Sequence, residues 1–188
     1  MDSQTPKPLL LKILLLGDNS AKATFFTKFT DDGFNINVDY TERKIHLDGQ
    51  VIEIQAWVMN RQERFEAPTS AYFSGTSGVL LIYDSSDEDS LEFSMRDEIR
   101  KVELYDGLET LIVEVNMDPK KKKQVTTEKA LEFAKEHDMQ LIETSLLEEL
   151  NIEEIFGMLA KKILTNKRHF ANKVQLNCKI PQEKSTCY

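Results

Sequence analysis

A glycine, a lysine and nearby hydroxyls at the end of an apolar run are the residues of this chain that could cradle phosphate. In Leu14-Leu15-Leu16-Gly17-Asp18-Asn19-Ser20-Ala21-Lys22-Ala23-Thr24 the spacing approaches G-x-x-x-x-G-K-[ST]. In that pattern glycines let backbone N–H groups fold round phosphates, the lysine meets their charge, and a Ser/Thr hydroxyl holds Mg²⁺. Gly17 and Lys22 are present, but no hydroxyl stands at the required place. The choice is between a chance near-match and a nucleotide-binding scaffold that has lost its chemistry.

Such residues need a strand to launch them and a helix to carry them. Leu9 to Leu16, apolar except for Lys12 and bounded by Gly17, has the pattern of a strand buried on both faces. Ala21 to Thr30 then reads as a short helix with Phe25, Phe26 and Phe29 on one side. Thr41 to Leu47 and Val51 to Val58 alternate on either side of Asp48-Gly49, which predicts a hairpin closed by a type I′ turn. Gly78 to Tyr83, Thr110 to Val115 and Gln140 to Glu143 are further strands. Helices are predicted from Asp87–Ser90 to Leu104, from Thr126 or Thr127 to His137, and along the stripe Ile152, Ile155, Phe156, Leu159 and Ile163. This alternation predicts an α/β fold, a mainly parallel sheet covered on both faces with the hairpin adding one antiparallel edge.

The 188 residues suit one domain, and 40% hydrophobic with 30% charged side chains is ordinary for a globular protein. Residues 1–8 read as a flexible leader, 9–165 as the domain and 166–188 as a flexible tail. A net charge of −8 disfavours nucleic acid as a partner, because that binding depends on neutralising phosphates. The tail has the opposite sign: Lys167, Arg168, Lys173, Lys179 and Lys184 stand against one acid, Glu183, the composition of an interaction arm. Cys178 and Cys187 both lie there, so no disulfide supports the core, which suits a reducing, cytoplasmic setting. Lys120 to Lys123 reads as a solvated loop.

Three segments carry a family resemblance. Trp57-Val58-Met59-Asn60-Arg61-Gln62-Glu63-Arg64-Phe65, Thr69-Ser70-Ala71-Tyr72-Phe73-Ser74-Gly75 and Gly78-Val79-Leu80-Leu81-Ile82-Tyr83-Asp84 resemble, at matching spacing, the W-D-T-A-G-Q-E-R-F, T-x-A-Y-Y-R-G and G-x-x-L-V-Y-D segments of the Rab family of small GTPases. The likeness runs from Lys12 to Leu164 and takes in Leu47-Asp48-Gly49 and Glu143-Thr144-Ser145. It implies the P-loop NTPase-like small GTPase fold, with a six-stranded, mostly parallel sheet, one antiparallel strand and helices on both faces.

Carried over residue by residue, the family's nucleotide boxes are damaged. With helix register kept, the phosphate loop is one residue short; Lys22 then takes the lysine position, Ala21 the second glycine and Ala23 the Mg²⁺-binding hydroxyl. With loop length kept, Thr24 takes the hydroxyl, but Ala23 falls at the lysine and Lys22 at the glycine. The first register is preferred because loops tolerate length changes better than packed helices. The switch loop before Val38 is shortened and lacks the threonine that senses the γ-phosphate. Val58 replaces the aspartate that polarises a metal-bound water, Arg61 replaces a γ-phosphate-binding glycine, and Gln62 is left as a vestigial water-positioning group. Val115-Asn116-Met117-Asp118 keeps only the aspartate of the guanine-reading box, and Asp118 before Pro119 also suits a plain turn. Ser145-Leu146-Leu147 keeps the serine of the last box and loses its lysine. Gly17, Lys22, Ala23, Thr24, Asp118 and Ser145 thus outline a degenerate nucleotide site with no expected metal ligand.

The resemblance places the family's partner-binding aromatic triad at Tyr40, Trp57 and Tyr72, residue types that also pack well as core. The expectation is a Rab-like interaction module in membrane traffic, needing no cofactor and binding effector or regulator proteins, with at most peripheral membrane contact through the basic tail. Cys187, followed only by Tyr188, does not fit a C-a-a-X lipidation box. The competing expectation is an atypical GTPase that still binds GDP or GTP with Mg²⁺ and hydrolyses slowly. A receiver-like domain using Asp18 or Asp84 is a third, weaker reading.

Overall fold

A computed structural model describes residues 8–30, 40–59, 69–117, 120, 122–144 and 152–177, with side chains as far as residue 166 except that of Phe93. Six strands form one sheet: β1 (Leu9–Gly17), β2 (Tyr40–Leu47), β3 (Gln50–Val58), β4 (Thr76–Asp84), β5 (Glu109–Val115) and β6 (Gln140–Thr144), in the order β2-β3-β1-β4-β5-β6. Only β2 and β3 run antiparallel; the other neighbours are parallel. The apolar run of β1 puts it between β3 and β4, where Leu14 lies opposite both Trp57 and Val79. Asp48 and Gly49 have φ of 49° and 77°, the two positive values that a type I′ turn demands.

Helices cover both faces, as the alternating pattern predicts. Against one face lie α1 (Asn19–Phe29) and α5 (Ile152–Asn177), which meet where Phe29 and Phe156 stack at 3.9 Å. Against the other lie α2 (Thr69–Phe73), α3 (Met95–Val102) and α4 (Thr127–Glu136). Thr126 caps α4 by accepting the N–H of Lys129 at 3.3 Å.

Three features differ from the sequence expectation. α2 is five residues long and too short to show a period. The helix predicted from Asp87 to Leu104 contains a π turn, Ser90–Ser94, and ends at Val102; the wide turn lets Leu91 and Met95 both reach the core. α5 continues beyond residue 165 to Asn177, because no glycine or proline interrupts the chain between Gly157 and Pro181. Lys167, Arg168 and Lys173 therefore lie on that helix, while Cys178 to Tyr188 lie outside the described residues. Among the described residues no helix is long and apolar enough to cross a membrane.

Candidate functional site

The C-terminal ends of parallel strands, where this class of fold binds ligands, converge around the β1–α1 junction. One residue, Asp18, separates strand from helix. Gly17 has φ of +107°, and a Cβ there would sit 2.1 Å from the carbonyl oxygen of Ile82 on β4. The next N–H, that of Asp18, donates to the same oxygen at 2.8 Å. Glycine is thus required by strand-to-strand contact as well as by conformation. Asp18 is the N-cap of α1: its Oδ1 accepts the N–H of Ala21 at 2.9 Å and the Ser20 hydroxyl at 2.7 Å. A carboxylate thereby lies at the helix end where free N–H groups and the helix dipole favour an anion.

Lys22 is not the solvated residue that a first-turn lysine usually is. It is 3% exposed, and its Nζ donates to the carbonyl of Met59, just beyond β3, at 2.6 Å. Ala23 offers no polar side-chain group, and Thr24 donates its hydroxyl back to the carbonyl of Ser20 at 2.9 Å. Val58 and Val115 are buried in the apolar core between the sheet and α1/α5. Asp84, at the end of β4, accepts from Ser86 N at 2.9 Å, Ser86 Oγ at 2.8 Å and Met117 N at 3.2 Å, so its carboxylate organises the turn after β4. Gln62, Asp118 and Ser145, with Arg61, Leu146 and Leu147, lie outside the described residues. Of the six expected nucleotide-site residues, the structure brings together Gly17, Lys22, Ala23 and Thr24.

The aromatic residues form a second locus at the β2–β3 side of the sheet. Tyr40 and Trp57 are cross-strand partners and stack at 4.6 Å, with Tyr40 42% exposed. Lys12 Nζ lies 4.9 Å from the centroid of the Trp57 ring and donates to the carbonyl of Ser74 at 2.9 Å; burial holds its pKa below the usual lysine range. Trp57 and Tyr72 are half-buried and pack against the core under α3 and α4. The indole N–H of Trp57 is buried and has no hydrogen-bond partner among the described residues. The triad therefore combines core packing with an exposed aromatic edge.

A model of the Ras family matches residues 12–165. The chain belongs to the Ras family. Its relatives there include Ras-related protein Rab-13 of Canis lupus familiaris, 34% identical over 164 residues that cover 82% of this chain and 80% of that one. Ras-related protein Rab-8B of Homo sapiens is 34% identical over 165 residues, 83% and 79% of the two chains. Ras-related protein Rab-8 of Diplobatis ommata is 33% identical over 177 residues, 88% and 84%. These relatives and the six-stranded mixed sheet make the chain a Rab-like small GTPase in family and fold.

This Ras-family chain also holds a buried charge cluster that the family resemblance does not point to. Glu114 on β5 is 1% exposed, and its Oε2 accepts the hydroxyl of Tyr83 at 3.0 Å. Lys123 pairs with the other carboxylate oxygen and lies 3.6 Å from Glu143 on β6. Burial and then the Glu114 charge raise the Tyr83 hydroxyl far above its usual range. Burial pulls the Lys123 ammonium down, but hydrogen bonding and charge from Glu114 and Glu143 outweigh it and raise the pKa. Lys123 is thus a paired residue and not part of a solvated run. The readable signal was a lone acid within Leu111-Ile112-Val113-Glu114-Val115, since a charge in a strand buried on both faces needs a partner.

Proposed function

We propose that this chain is a Rab-like protein-interaction module in membrane traffic whose nucleotide site is taken up by its own side chains. The observation that carries this reading is the β1–α1 junction. The Asp18 carboxylate occupies the helix N-terminus at 2.9 Å from Ala21 N, and the Lys22 ammonium is committed to Met59 O at 2.6 Å. A phosphate would have to displace the first against like charge and draw the second out of a buried hydrogen bond. Nor do the described residues at the family's Mg²⁺-binding positions offer the oxygen ligands that Mg²⁺ demands: Val58 and Ala23 have none in their side chains, and the Thr24 hydroxyl turns back to its own helix. The partner surface is the Tyr40–Trp57 stack with Tyr72, facing effector or regulator proteins. A stacked aromatic pair with one edge exposed is the kind of surface that anchors a protein interface.

The test is to purify the full chain without added nucleotide, release any small molecule by denaturation, and analyse it by anion-exchange chromatography. Melting temperature is then measured with GDP and GTP, each with and without Mg²⁺. No bound nucleotide and no shift are expected. Stoichiometric guanine nucleotide would overturn the reading in favour of an atypical, slow GTPase.

A further inference from the structure

The lysine run after β5 has a use that the nucleotide site does not explain. Tyr83, Glu114 and Glu143 are direct neighbours in register across β4, β5 and β6, so one face of the sheet presents a hydroxyl and two carboxylates in a row. Two cross-strand carboxylates repel unless a cation stands between them. Lys123, from the loop between β5 and α4, supplies it by pairing with Glu114 and lying 3.6 Å from Glu143. Tyr83 donates to the second Glu114 oxygen at 3.0 Å, Thr127 to the Glu143 oxygen that faces Lys123 at 2.6 Å, and Thr144 to the Glu114 carbonyl at 2.7 Å. Beside this cluster the N–H groups of Gln124 and Val125 both donate to the carbonyl of Ser85, at 2.9 and 3.1 Å.

We propose that Lys123 is a latch, a positioning residue that pins residues 122–126 ahead of α4 to the sheet from within, so that the order of this segment does not depend on any bound ligand. The geometry suits that task. Glu114 cannot turn to solvent, and an unpaired buried carboxylate is far less stable than a paired one, so opening the loop exposes or orphans a charge. The latch rests on these contacts alone and stands whether or not nucleotide binds.

Hydrogen exchange of the full chain, read at the Gln124 and Val125 amides by NMR, tests this with and without GDP. Lys123→Met should speed exchange there about tenfold or more while the amides of β1 and β3 keep their protection. Lys123→Arg should restore the slow exchange, and Lys122→Met, on an exposed neighbour, should leave it unchanged. If Lys123→Met fails to fold, Glu114→Gln combined with Lys123→Met, which leaves no orphaned charge on β5, carries the same expectation. The latch is overturned if these variants exchange like Lys122→Met, if loop and sheet accelerate together, or if the Gln124 and Val125 amides of the unmodified chain are protected only when GDP is present.

Discussion

The carboxylate of Asp18 accepts the backbone N–H of Ala21 at 2.9 Å, closing the start of α1 with the protein's own anion. Removing it leaves a free amide at the helix end, and N-cap substitutions by alanine cost about 1 kcal/mol. Asp18→Ala should therefore lower the stability by about that amount in urea titrations. If the carboxylate excludes phosphate, the variant should also gain a measurable thermal shift with inorganic phosphate.

Gly17→Ala should be far more damaging. The new Cβ would meet the Ile82 carbonyl at 2.1 Å, backbone against backbone, in a conformation with φ of +107°. Neither strand can yield, because β1 is paired on both sides. A loss of at least about 3 kcal/mol is expected, visible as a lower urea midpoint or as loss of soluble protein.

Tyr83 gives a pH signature. Its folded-state pKa is raised, by burial first and then by Glu114, whereas an unfolded tyrosine ionises near pH 10. Its contribution is therefore complete below about pH 10 and is lost as pH rises further, at up to about 1.4 kcal/mol per pH unit. Lys123, also raised, acts in the same direction at alkaline pH. Tyr83→Phe should flatten the decline of stability between about pH 10 and 11.5, as followed by urea midpoints, with Lys123 and Lys129, both raised, contributing to the slope that is left.

Trp57 is the only tryptophan, so its fluorescence reports on the aromatic surface alone. Tyr40→Ala removes the ring stacked on it at 4.6 Å, which should shift emission to the red and cost about 0.5 to 1.5 kcal/mol. The melting temperature should fall only slightly. A protein partner that seats on this surface should shift the emission of the unmodified chain and leave that of Tyr40→Ala much less changed.

The sheet was legible in the sequence because its signals are local. Leu9–Leu16 reads as a strand buried on both faces, which holds from Leu11 on, apart from the half-buried Lys12, while Leu9 and Leu10 at the start of β1 are exposed; Asp48-Gly49 sets the hairpin turn. Helix length was less legible: the π turn at Ser90–Ser94 depends on where Leu91 and Met95 must both point, which is a tertiary requirement. At the candidate site, residue types announced what the family's boxes lack but not what the remaining groups do. That Lys22 turns inward to Met59 depends on residues 37 positions apart, and no spacing rule spans such a distance. The pairing of Lys123 is illegible for the same reason, since its partners Glu114 and Glu143 lie on two different strands.

The unbroken run of α5 to Asn177 gives the chain a ruler. At about 1.5 Å per residue its 26 residues measure about 39 Å, and the portion after residue 165 accounts for roughly 18 Å of that. The backbones of Lys167, Arg168 and Lys173 are thereby set at a fixed rise along one helix, about 9 Å from the first to the last.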